Sequence, residues 1–203
     1  MAITFPVSFP SSPQPRITRF TPQSSVAITI SDQSFVRQTQ VNDGQQWIIE
    51  AQWDPMVRAS AAAFVATLTS LNGGEGTFNF GPFAANYTMR GEGGGSPKIK
   101  GASQTGQDII TDGWPDSETN VVLPGDYIAF DNHLYQVLIA SNSNASNGAA
   151  TLTLWPDVKT APSDNAVITT SQPKGRFYLV SASEWTVDEV GRYGLTVVGA
   201  SVI

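Results

Sequence analysis

The sequence predicts a mainly β protein: an antiparallel β-sandwich with one flanking α-helix and a small β-unit inserted into it. Three observations lead there. Through most of the chain apolar residues alternate with polar ones, the spacing of a half-buried strand. A single stretch, about residues 55–71, switches to helical spacing. Charged residues make up only 14% of the 203, against about 25% in ordinary soluble domains. Ser, Thr, Asn, Gln and Gly fill the difference, which suits sheets and close subunit contacts better than long exposed helices.

Taken in order, Arg16–Phe20 alternates, and Ser25–Ile30 places Val26, Ile28 and Ile30 on one face. Ser31–Ser34 reads as a turn. Residues 35–53 read as a hairpin about Asp43-Gly44, a strong short-range turn signal. Its second strand sets Trp47, Ile49, Ala51 and Trp53 on one face. Asp54 then offers an N-cap and Pro55 a first helical residue. Val57, Ala61, Phe64, Leu68 and Leu71 form one apolar stripe, and Asn72-Gly73-Gly74 supplies the stop. The helix is predicted to pack across a sheet, with its outer face a candidate for subunit contact.

A short strand is expected within Gly76–Pro82. The glycine-rich run Gly91–Pro97 then reads as a linker or hairpin tip. Strands are expected at Tyr127–Phe130, Leu134–Leu138, Ala150–Trp155 and Ala166–Thr170. Lys174-Gly175 marks a second seam, after which Arg176–Val180, Glu184–Val187 and Tyr193–Val198 return to the first strands. The predicted division is therefore residues 1–90 with 174–203, interrupted by an inserted unit at 91–173.

The net charge of −6, with no stretch rich in Lys or Arg, argues against tight nucleic-acid binding, which rests on neutralising phosphates. Membrane-surface attraction is equally unsupported, and no apolar run approaches the roughly 18 residues that cross a bilayer. The absence of cysteine excludes disulfides and thiol chemistry. Met1–Pro6 has no basic or apolar run of a signal peptide, so synthesis in the cytoplasm is expected.

The chemistry-bearing residues are few. His133, the one histidine, lies between strands near Asp126 and Asp131 and reads as a turn residue. It has none of the spacings that pair histidines on a metal. Glu184, Asp188 and Glu189 carry carboxylates close in sequence, which a glycosidase would need, but they read as a solvated turn. Gly91–Gly95 lacks the Lys-Ser/Thr ending of a phosphate loop. No enzyme activity, cofactor or metal is predicted. Among the five tryptophans, Trp47, Trp53 and Trp185 fall in strand patterns and read as core. Trp114, between Gly113 and Pro115, is the candidate exposed ring for a glycan. Asn86-Tyr87-Thr88 and Asn144-Ala145-Ser146 match the glycosylation pattern.

Three segments carry a family likeness. The first is Trp47 to Phe80, where a strand ending in Trp53-Asp54-Pro55-Met56 leads into the Ala-rich helix and then Leu71-Asn72-Gly73-Gly74-Glu75-Gly76-Thr77-Phe78. The second is Lys100-Gly101-Ala102-Ser103-Gln104-Thr105-Gly106. The third is Leu123-Pro124-Gly125-Asp126-Tyr127-Ile128 with Leu134-Tyr135-Gln136-Val137, then Gly148–Leu152 and Trp155-Pro156. In this order they resemble the distal tail proteins of long-tailed, siphovirus-type bacteriophages. The resemblance implies a tail-tube-like β-sandwich that assembles into a homohexameric ring at the tail tip of the virion. It also implies contacts with the tail-tube protein on one side and hub or fibre proteins on the other, in the baseplate or tip apparatus. DNA would pass through the lumen without being bound. No site residue carries over from the family. The competing readings are a tail-tube or other tail-tip subunit, a glycan-binding host-recognition module acting through Trp114, and a tail-associated hydrolase.

Overall fold

The computed structural model describes residues 3–82, 87–181 and 184–202. It is mainly β, with one helix among the described residues and two sheets. In chain order the elements begin with β1 (Val7–Ser8), β2 (Ile17–Ile30), β3 (Arg37–Val57), α1 (Arg58–Ser70) and β4 (Thr77–Phe80). Then come β5 (Lys98–Ile99), β6 (Gly106–Asp112), β7 (Tyr127–Phe130), β8 (His133–Val137) and β9 (Ala150–Val158). The chain closes with β10 (Gly175–Leu179), β11 (Glu184–Val187) and β12 (Arg192–Ser201).

The larger sheet has the order β1-β4-β10-β12-β3-β2, with β11 also paired to β12. All its pairings are antiparallel except β1 with β4. The smaller sheet, β5-β6-β9-β8-β7, draws every strand from residues 98–158. The strands before and after that stretch all belong to the larger sheet.

Alternation decides which face of β3 is buried. Trp47, Ile49, Ala51 and Trp53 face the first core with Phe78, Phe80, Phe177 and Leu195, and α1 covers them with Ala61, Phe64 and Leu68. A second core forms between Ile99, Ile109, Ile128, Phe130, Leu152 and Leu154 of the smaller sheet.

Two local expectations are corrected. The helix starts at Arg58 rather than near Pro55, because β3 continues to Val57. There β12 pairs Arg192 with Val57 and Tyr193 with Met56. Between Tyr193/Met56 and Leu195/Trp53 the register shifts, so Asp54 and Pro55 both oppose Gly194 in a bulge. Proline has no N–H for a ladder and is tolerated at such a bulge. Asp54 caps nothing and instead pairs with Arg16 across the surface at 3.2 Å. Val57, expected on the helix stripe, is an exposed strand residue. The C-terminal stop does form: Asn72 and Gly73 take positive φ, and Gly76 N–H donates to Leu71 O at 2.8 Å.

The second correction concerns Asp43-Gly44. The chain does not reverse there. β3 runs straight through, and residues 42–44 bulge opposite Ser25, between the pairs Ser24/Gln45 and Val26/Val41. Reversal occurs at 31–36, closed by Phe35 N–H to Ser31 O at 2.8 Å and Ser31 N–H to Val36 O at 3.1 Å. A 14-residue and a 21-residue strand thus form one long hairpin. Likewise residues 166–170 do not form a strand; Val167 and Thr169 make only isolated bridges to Lys98 and Ala129.

The two sheets meet at a tight seam. Trp47 Nε1–H donates to Leu134 O at 3.0 Å, and its ring meets Trp155 edge-on with centroids 4.3 Å apart. Arg176 N–H donates to Asn132 O at 2.7 Å, and Asp157 N–H to Gln45 Oε1 at 2.6 Å. Gly175 is needed for this approach: a Cβ there would lie 2.8 Å from Leu134 N and Cβ.

Candidate assembly surface

Phe20, the last core-face aromatic of β2, packs on Trp47 and Phe80. Beyond it the β2–β3 hairpin leaves the protein's own core. Every residue from 21 to 44 is exposed. Strand pairing places Val26 opposite Val41, Ile28 opposite Thr39 and Ile30 opposite Arg37. Cross-strand partners share a face, so these six lie together. By alternation that face is the continuation of the one carrying Thr18, Phe20 and Pro22. The reverse face, Ala27, Thr29, Gln38 and Gln40, is neutral and mostly polar. Ile28 is 53% exposed and Phe35, at the tip, 81%. The spacing of Val26, Ile28 and Ile30 predicts a half-buried strand; the arm has the right periodicity and nothing of its own chain to bury it.

A second bare apolar surface lies at the other end of the larger sheet. Trp185 pairs with Leu195, which pairs with Trp53, and Val187 pairs with Tyr193, which pairs with Met56. Trp185 and Val187 therefore share the core face but overhang it. Trp185, expected in the core, is 41% exposed, because β11 is held only by β12 and lies beyond the core. Val190, in the β11–β12 turn, is 81% exposed. Asp188 builds that turn, its Oδ1 accepting from Val190 N–H at 3.0 Å and Arg192 N–H at 2.7 Å. Asp188 and Glu189 thus lie in a solvent-exposed turn, while Glu184, also exposed, opens β11 at its far end opposite Thr196.

Trp114 is not an exposed platform. It is 3% exposed in the second core, and its Nε1–H donates to Thr111 Oγ1 at 2.8 Å. Gly148 lies against its backbone, where a Cβ would collide with Trp114 O, so the 114 and 148 loops pack backbone to backbone. No stacking face is left for a sugar, and the glycan assignment to Trp114 is corrected on this ground. Asn86 lies outside the described residues.

The remaining titratable residues occupy separate surroundings. Asp126 is buried and accepts from three backbone N–H groups: Arg90 at 2.7 Å, Gly91 at 3.0 Å and Leu123 at 2.8 Å. The second likeness segment has a similar internal clamp: Gln104 donates to Lys100 O at 2.8 Å and accepts from Ile110 N–H at 2.6 Å. Among the described residues no group of three His, Asp or Glu is placed to hold a metal. A recess of about 110 Å³, lined by Phe9, Pro10, Trp53, Phe80, Pro82 and Pro173, lies at the edge of the first core.

His133 opens β8 at the seam rather than a solvated turn. Its Nδ1–H donates to Val202 O at 3.1 Å. Burial holds its pKa below the ordinary range; the Val202 bond and Asp131 oppose this, and Arg176 adds to it. The unfolded chain therefore binds a proton more readily than the folded one. Stability that is present above the usual histidine value of about 6.5 is lost as pH falls through the window below it. The urea midpoint of the native chain is expected to fall between pH 7.5 and 5.5 more than that of His133→Gln. Equal losses in the two proteins would refute the assignment.

Compared with known proteins, the chain matches no family model and no curated relative.

Proposed function

We propose that this chain is a structural subunit of a bacteriophage tail, the distal tail protein, whose copies form a ring joining the tail tube to the adsorption apparatus at the tip. The observation that supports the reading is the β2–β3 arm. Its apolar face continues the core face of the larger sheet for about seven residue pairs without cover. Isolated two-stranded ribbons are marginal in water, and contiguous exposed apolar surface marks an interaction site. Such a subunit completes its burial on assembly. The order of the three likeness segments supplies the particular assembly, with a hexameric ring, the tube protein and hub or fibre proteins as partners. The acidic, basic-poor composition suits a lumen through which DNA slides.

The test is electron microscopy of phage particles labelled with antibody to this chain. Label confined to the tail tip is expected. Label along the whole tail would replace the reading by a tail-tube subunit, and unlabelled particles would remove both.

A further inference from the structure

We propose that the seam between the two sheets binds a monatomic anion of the halide class, held by Arg176 and Lys159 and bridging the sheets. The site is a recess of about 20 Å³. The larger sheet contributes Gln45 of β3, Arg176 of β10 and Ser201 of β12. The smaller contributes His133 of β8, Asp157 of β9 and Lys159 directly after it. Among the described residues, Arg176 Nε is the one buried side-chain nitrogen or oxygen without a hydrogen-bond partner. The Arg176 backbone is fixed on both sides, its N–H donating to Asn132 O at 2.7 Å and its C=O accepting from Val202 N–H at 2.9 Å. The fold therefore brings this cation to the seam and supplies nothing there for it to pair with.

The recess is rich in donors. Ser201 Oγ accepts from Trp47 N–H at 2.9 Å, and Gln45 Oε1 accepts from Asp157 N–H at 2.6 Å. The Ser201 hydroxyl proton and the Gln45 NH₂ are left to give, and arginine and lysine have donors only. Neither Arg176 nor Lys159 is in an ion pair; the pairs among the described residues are Arg16–Asp54 and Arg19–Glu50. Two carboxylates oppose an anion. Asp157 lines the recess, and Asp131 acts on His133 from the β7–β8 turn, where it is exposed and screened by water. Asp157 offsets one of the two lining cations and leaves the other in excess. A water molecule is the rival occupant, and it would leave the half-buried Arg176 charge without a counter-charge. Size narrows the class, since a cavity this small admits about one water-sized species and shuts out tetrahedral oxyanions. Binding is also tied to His133. Arg176 favours the neutral imidazole; an anion beside both residues counters that influence, and its own binding strengthens as His133 takes up a proton.

The chain has one histidine, so its imidazole NMR signals are assigned without ambiguity. His133 is titrated in the native chain in sodium bromide and in sodium gluconate at equal ionic strength, which matches general screening. The expected result is a higher titration midpoint in bromide. Crystals grown in bromide are expected to show an anomalous peak in the recess. Arg176→Gln keeps the backbone bonds of β10. It is expected to bind bromide roughly tenfold more weakly or worse, because hydrogen bonds to a charged group are the stronger kind, and to lose the bromide dependence of His133. Equal midpoints of the native chain in the two salts would overturn the proposal and assign the recess to water. Anomalous peaks on the surface and none in the recess, an adventitious ion only, would overturn it as well. So would a bromide dependence that survives in Arg176→Gln. Should that variant fail to fold, the native titration and the crystal decide the matter without it.

Discussion

Trp47→Ala is expected to cost about 4 kcal/mol of folding stability, within the range for large aromatics cut to alanine in a core. Trp47 is nearly fully buried and lies at the seam between the two sheets. Phe20 and Trp155 meet its ring edge-on, Tyr127 packs against it at a tilt, and its indole N–H is bonded to Leu134 O. Truncation removes contacts to both sheets at once and leaves a cavity that rigid strands on two sides cannot collapse. Total stabilities run to about 5–15 kcal/mol, so the variant retains a narrow margin. Urea unfolding is the measurement: the midpoint should drop sharply with little change in slope. Trp47→Phe keeps most of the aromatic volume but loses the donor to Leu134, and should fall between the two. An alanine variant within 1 kcal/mol of the native protein would show that the sheets are coupled elsewhere.

Trp47 also shows what was legible in advance. Its face of β3, shared with Ile49, Ala51 and Trp53, follows from alternation, because one side of that strand meets only its own chain's core. The helical stripe Ala61, Phe64, Leu68 was legible for the same reason. Boundaries were not. Asp54-Pro55 has the chemistry of a helix start, but pairing of β12 with Met56 and Val57 held the chain extended. That pairing spans more than 130 residues, beyond any local pattern. Asp43-Gly44 failed similarly: a partner strand long enough to run past it turns a turn signal into a bulge. β6 escaped notice because only Ile109 and Thr111 of Gly106–Asp112 are buried, while Ile110 faces out. Trp114 and Trp185 exchanged places. Proline and glycine neighbours suggested exposure for Trp114, yet Thr111 accepts its indole proton inside the second core. Strand periodicity suggested burial for Trp185, yet periodicity reports which side a residue faces, not whether anything covers that side. The arm is the same lesson on a larger scale: its apolar periodicity is visible in the sequence, its exposure only in the fold.

Asp126→Ala is expected to release the segment entering the smaller sheet. Each Asp126 oxygen is committed to backbone donors, Oδ1 to Arg90 N–H and Oδ2 to the N–H groups of Gly91 and Leu123. Hydrogen bonds to a carboxylate contribute more than neutral ones, about 1.5–3 kcal/mol each, and they are not additive. Their joint loss is put at about 3 kcal/mol, and it falls on the stretch joining β4 to β5 and on the Leu123–Asp126 turn. Asp126→Asn recovers little, since its amide NH₂ replaces one acceptor facing donors. The Arg90–Gly91 peptide is a tryptic site pinned on both sides by this carboxylate. When opening is fast relative to cleavage, proteolysis follows the population of the open form. A local loss of about 3 kcal/mol therefore predicts roughly a hundredfold faster cleavage after Arg90 under native conditions. Cleavage after Lys159 and Lys174, away from the clamp, serves as the control and should change far less. If the variant were cut after Arg90 no faster than the native chain, Asp126 would be a buried side chain without a role in holding the two sheets' connection, and the N–H groups of Arg90, Gly91 and Leu123 would need another acceptor.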